Sequence, residues 1–360
     1  MLTELNQTGK PGPPGMAPAH QRPQALPAAR RGLHAARDQE AAPAHKEVLR
    51  AGPSYRDYER YLSEVIDELL APLPAVRKRV NLLGVVPEQQ IFWKGTLLAM
   101  KSLLEEIGLT VNTIFAEGNT MLALREIPAA ELNLVFSHWV GVGAATRLEE
   151  RFGTPFTVIP AVPVGPRDTS AFLRFLARRL RLRRKSVEQY IAMQEKWAYG
   201  FAEFTAGLTA RSLPRARVAV VADAGTAVGL VRYGCNDLGW LPQLVVVNDD
   251  PPAERHADLV GSLTFGLAHA VQPTVRFETD PLRIKELLCG ERLQLVLSSS
   301  LEKAFVTEEL DAVQVSVAYP GNDRLWGHRS YAGYRGGLAL MEDVATQHAV
   351  HETRKDRDLT

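Results

Sequence analysis

The sequence predicts an α/β protein of two doubly wound domains with parallel sheets, preceded by a disordered N-terminal segment. Three observations carry this. From about residue 80, short apolar runs alternate with longer amphipathic runs, the order expected of strands and crossover helices. The alternation is interrupted once, by a strand-free helical stretch over 186–209 that divides the chain in two. Residues 1–50 hold seven prolines and no Ile, Phe, Tyr or Trp, too little apolar surface to offset the entropy of ordering.

The elements follow in order. Tyr58, Tyr61, Leu62, Val65, Ile66 and Leu69 recur at helical spacing, and Pro72 and Pro74 end that run. Strands are expected at 80–86, 110–115, 132–136 and 156–159, with helices at 93–107, 122–127, 141–151 and 165–184 between or after them. Gly108 and Gly153 are the expected C-caps. After the 186–209 helix the pattern resumes, with strands at 217–222, 244–247, 274–277, 293–297 and 313–318 and helices at 226–238, 253–270 and 281–288. A helix-like run over 338–344 comes last. The expected divisions are a Pro/Ala-rich segment 1–52, a first Rossmann-like domain 53–185, a helical linker 186–212, a second Rossmann-like domain 213–348 and a polar tail 349–360.

Composition excludes several classes of function. A net charge of +1 offers no global field for nucleic acid or an anionic membrane, and no apolar run is long enough to span a bilayer. Two cysteines, Cys235 and Cys289, build no disulfide framework and suit a reducing cytoplasm, the expected location. Gly141-Val-Gly-Ala-Ala-Thr146 starts like a dinucleotide fingerprint, but its third small residue is replaced by Thr146 and no acidic residue follows at the right distance. Asp223-Ala-Gly225 holds the same place in the second half with the wrong glycine spacing. Both read as close strand-to-helix packing. His138, after an apolar strand, reads as a satisfied edge histidine. Cys235 reads as a small core residue, and Cys289 stands at the negative end of its helix, where a thiolate is disfavoured. The basic run from Arg174 to Lys185 reads as a solvated helix face or a partner-docking surface.

The stretch from Tyr319 to Gly337 is the densest in the chain, with five glycines, four aromatic residues, three arginines and His328 in nineteen positions. It is read either as a functional surface on a rigid scaffold or as a tight connection whose glycines permit unusual backbone.

Its motifs also resemble a known family. Tyr319-Pro-x-x-Asp323-Arg324, His328-Arg-Ser330 and Gly333-Tyr-Arg-Gly336 come after Val80-Asn-Leu-Leu-Gly84, Asn133-Leu-Val135, Leu148-Glu-Glu-Arg-Phe-Gly-Thr-Pro-Phe156 and Leu238-Gly-Trp-Leu-Pro242. In that order, over residues 55–346, they resemble the component 1 proteins of nitrogenase and nitrogenase-like reductases, and in the closing loop their β-type subunits. The resemblance implies an α-type component 1 subunit and an ATP-dependent iron protein reductase as partners, with iron–sulfur clusters in the complex. It also implies what is missing. Where α-type subunits hold the active-site cluster by a cysteine and a histidine, the matching positions are Ala145 and Ala332, and alanine offers no lone pair to iron. No cysteine precedes Cys235, so the relay cluster of the family's first domain finds no ligand here. The expectation is therefore a β-like subunit, apparently lacking the first cluster-binding domain, with no catalytic, cofactor or metal residue of its own. Its role is scaffold and interface, with Arg324, His328, Arg329, Tyr331, Tyr334 and Arg335 as interface candidates. A cluster-assembly scaffold of the same fold and a truncated inactive paralogue are the alternatives. Dinitrogen, a tetrapyrrole and a sulfur compound all stay open as substrates of the complex.

Overall fold

In the first half, four strands line up in parallel in the order β2-β1-β3-β4, and in the second half five follow as β7-β6-β5-β8-β9. The computed structural model describes residues 54–115, 121–209, 215–268, 272–324 and 327–358. The 1–52 segment of the sequence reading lies outside the described residues.

Ser54 opens helix α1 (Tyr55–Glu68) with a capping box. Its hydroxyl accepts from the Asp57 amide at 3.0 Å, and the Asp57 carboxylate accepts from the Ser54 amide at 3.2 Å. Then come β1 (Val76–Leu83), α2 (Trp93–Glu106), β2 (Thr110–Asn112), α3 (Met121–Arg125), β3 (Ala130–Val135), α4 (Val142–Phe152), β4 (Phe156–Val158), α5 (Gly165–Arg179) and the 26-residue α6 (Arg184–Thr209). The second half comprises β5 (Arg217–Ala222), α7 (Ala224–Asn236), β6 (Leu241–Val247), α8 (His256–Thr264), β7 (Thr274–Phe277), α9 (Pro281–Cys289), β8 (Leu295–Ser298), α10 (Lys303–Glu308), β9 (Val313–Ser316) and α11 (Gly333–Asp358).

Strand periodicity sorts the core. On β1 and β3, Val80, Leu82, Leu132 and Leu134 join a cluster with α2 and α5, while Leu83 and Val135 join one with α1 and α4. On β5, β6 and β8, Val218, Val220, Val245, Val247, Leu295 and Leu297 belong to that same second cluster, so one continuous core links a face of each sheet. Ala219, Val221, Leu244, Val246 and Val296 pack outward under α9 and α10. Between β1 and β3, Asn81 donates to Asn133 Oδ1 at 2.7 Å and to the Ile127 carbonyl at 2.8 Å, a buried polar rung inside an apolar sheet.

The end of the chain departs from the sequence reading. Residues 333–337, expected as loop, and 349–358, expected as polar tail, extend the helix-like run between them into α11. This helix packs on α5 and α6 of the first half as well as on β9. Its entry is fixed by the Gly333 amide donating to the Pro163 carbonyl at 2.8 Å. Its last turns hold buried His351 at 3.2 Å and Lys355 at 2.9 Å from Asp311. Glycines masked the start of this helix. A Cβ on Gly336 would stand 1.9 Å from the Tyr331 carbonyl carbon, so the helix carries glycine there to admit the loop backbone.

Candidate functional site

Both sheets end their carboxyl edges at one seam, the place where doubly wound folds bind ligands. From the first sheet come Gly84 after β1 and Phe136 to Trp139 after β3, and from the second come Asp223 after β5 and Asp249 after β6. The Gln90 side chain donates to Asp223 at 2.9 Å, and the Trp139 indole donates to Asp249 at 3.0 Å. Each carboxylate also caps α7, Asp223 through the Thr226 amide and Asp249 through the Ala224 amide, both at 3.1 Å. Burial raises the affinity of Asp223 for its proton. Burial and then the charge of Asp223 push Asp249 up to about 7. Sequence reasoning passed over this pair, whose only local signal is an acid just beyond each strand end.

The two glycine turns explain themselves. The Glu59 carboxylate of α1 accepts from the Gly141 amide, and from the Ala144 amide at 3.3 Å. A Cβ on Gly143 would meet that carboxylate at 3.0 Å. The N-terminus of α4, where a dinucleotide phosphate would sit, is thus filled by an acid of the chain itself. Asp223 does the same for α7.

Between the halves lies a small cavity of about 60 Å³, walled by Phe92, Phe136, Val164, Leu230, Tyr331 and Ala332, with Gln90, Thr96 and Thr226 as polar residues. Beside it a solvent-open cleft of about 420 Å³ runs past Glu88, Trp93, Lys94 and Tyr319. The cavity has room for a water or two. Its wall offers amide and hydroxyl groups but no thiolate, imidazole or carboxylate, and Ala145 is buried in the core. An iron–sulfur cluster does not fit this donor set. Among the described residues no three His, Cys, Asp or Glu side chains come together as a metal site.

The closing loop runs along the cavity and is held from behind. Buried Asp343 of α11 accepts from Arg324 Nη1 at 3.1 Å, Arg329 Nε at 3.0 Å and the Tyr331 hydroxyl at 2.5 Å. Arg329 also donates to the Ala339 carbonyl, and the Tyr331 ring meets Phe92 edge-on at 4.7 Å. Tyr334 is buried with its hydroxyl 2.9 Å from Ser170 Oγ. Thus four of the six interface candidates hydrogen-bond within the chain, and the loop brings them together around Asp343 or Ser170. His328 and Arg335 face solvent, Arg335 over the Trp197 ring at 5.5 Å. His138 is satisfied across the seam, its Nε2 2.6 Å from Ser262 Oγ, and burial lowers its pKa. Cys235 is buried and Cys289 exposed.

This arrangement has counterparts among known proteins. The family model described as nitrogenase component 1 type oxidoreductase matches residues 52–348. The chain belongs to this family. Its relatives include the B subunit of light-independent protochlorophyllide reductase from Chlorobium luteolum, 26% identical over 334 residues, covering 87% of this chain and 61% of that protein. The same subunit from Chloroflexus aggregans is 25% identical and covers 80% and 52%, and that from Stigeoclonium helveticum is 25% identical and covers 68% and 47%. This nitrogenase-like chain therefore sides with β-type subunits and spans about half the length of the curated relatives it matches. The fold is that of a solved structure titled "Nitrogenase Cp1 at pH 6.5", with a TM-score of 0.65 at 17% identity, over 83% of this chain and 66% of that one. No helix among the described residues is long and apolar enough to cross a membrane.

Proposed function

We propose that this chain is a β-like subunit of a nitrogenase-type oxidoreductase complex and contributes scaffold and subunit interface while partners carry the redox centres. One observation supports this above the others. The cavity that runs along the closing loop is lined by Ala332 and by no iron ligand, within a chain that carries the family pattern over 52–348. The partners are an α-type component 1 subunit and an ATP-dependent iron protein reductase, and the clusters belong to the assembled complex. His328 and Arg335 are the loop residues exposed for contact, with Arg324, Arg329, Tyr331 and Tyr334 holding the loop in shape behind them. Co-expression with an α-type subunit tests the reading. A stable hetero-oligomer is expected, with iron in the complex and none on the chain purified alone. Stoichiometric iron on the isolated chain, with the visible absorption of an iron–sulfur cluster, would overturn it. Protochlorophyllide, named in the relatives, is the first substrate to try with the assembled complex.

A further inference from the structure

Helix α6 carries a second surface. Met193, Trp197, Phe201 and Phe204 follow one another at spacings of four, four and three, which lines them along one side of a helix. The helix is anchored to the fold by a different arc, through buried Val187, Ile191 and Ala198. The stripe is open to solvent, with Met193 58%, Trp197 45% and Phe204 85% exposed. Trp197 and Phe201 already stack on each other at 6.3 Å, so the stripe is partly ordered before anything covers it. Aromatic surface of this extent is expensive to leave in water and marks a contact site.

Two further features say what covers it. Gly200 lies on the same side, in the interior of a 26-residue helix, where glycine is unfavourable relative to alanine. Nothing among the described residues lies within 4 Å of where its Cβ would be, so their packing gives no reason for the missing side chain. A groove beside aromatic knobs is how one helix admits another closely. From the last turn of α5 to the first turn of α6, Arg178, Arg179, Arg181, Arg183 and Lys185 are exposed, and none makes an ion pair among the described residues. Arg335 adds a cation at Trp197. The complement is an apolar helix with carboxylates along its rim.

We propose that this face of α6 is where the α-type partner subunit docks, laying an apolar, acid-rimmed helix along Met193, Trp197, Phe201 and Phe204 and over Gly200. The proposal rests on the subunit reading above. It moves the main contact from the closing loop to α6, with Arg335 belonging to both.

The test uses the full chain and a co-expressed α-type subunit, with dissociation followed by sedimentation and light scattering. Trp197→Ala combined with Phe204→Ala weakens association on the order of tenfold or more. Gly200→Leu weakens it similarly while leaving the melting temperature at or above that of the wild type, which separates docking from folding. Phe265→Ala, at an exposed aromatic on the second half, leaves association unchanged. Undiminished binding in both α6 variants, with wild type still associating, overturns the surface alone. Failure of the wild type to associate overturns the subunit reading and this occupant with it. Self-association of the chain, or binding to anionic phospholipid vesicles, that the same α6 variants abolish assigns the face to another occupant and overturns the proposal.

Discussion

Two polar clusters sit between the halves of this molecule, and they are built in opposite ways. Around Asp343, one carboxylate faces two guanidiniums and a phenol, so the buried negative charge is balanced several times over. Around Asp223 and Asp249, two carboxylates share a buried seam with an amide, an indole and backbone amides, and no lysine or arginine bonds to either among the described residues. Tyr55 stands close enough to feel both charges and is held protonated by burial and by them. The first cluster sets a carboxylate against two guanidiniums and a phenol that burial and the Asp343 charge keep protonated. The second keeps its fold most easily with a proton retained. One is a rivet, and the other depends on pH.

The rivet predicts the largest effect. Asp343→Ala leaves Arg324 and Arg329 partly buried with no counter-charge and takes the acceptor from Tyr331. Breaking such a cluster by removing its hub costs about 3–5 kcal/mol. Urea unfolding of the variant at pH 7 measures it. A loss under about 1 kcal/mol would show that the loop is held by Phe92 and the glycine packing instead, and the contrast between clusters would lose its first half.

Much of this architecture was legible because it rests on local pattern. Strand positions followed from apolar runs, and the family from short motifs in order, since each needs only neighbouring residues. The site was less legible because its partners are remote in sequence. Nothing near Gly141 announces that Glu59 will occupy its amide, and nothing near Arg324 or Arg329 announces Asp343. The glycines around 333–337 suggested a loop because propensity argues against helix there. The loop backbone pressing on Gly336 and the packing of α11 against α5 override that preference. Likewise nothing near Arg324, Arg329, Tyr331 or Tyr334 announces the buried acid and the buried serine that they bond within the chain.

The seam predicts a smaller, pH-dependent effect. Asp249 titrates near 4 when unfolded and at about 7 in the fold, so the folded state binds its proton more tightly. The stability this adds is complete below about pH 4 and is lost as pH rises through 7. Wild type should therefore lose on the order of 2 kcal/mol through Asp249 between pH 5 and pH 8. Asp249→Asn keeps one acceptor oxygen, for either the Trp139 indole or the Ala224 amide, so it is less stable at low pH, and its stability should vary less over that range. Unfolding midpoints across the interval decide the matter. Identical slopes for the two proteins would mean that the carboxylates are better solvated than the geometry allows.

The smallest effect comes from a third link across the same seam. Arg56 and Asp250 meet at 2.7 Å, with side chains 73% and 70% exposed. An ion pair that open to water is screened and entropically costly to hold, and contributes about 0.5 kcal/mol or less. Arg56→Ala should shift the unfolding midpoint barely at all and leave the pH slope of the seam intact. A loss above about 1 kcal/mol would place this surface pair alongside the buried clusters. The halves would then be joined as much by charges in water as by the buried bonds of Gln90 and Trp139.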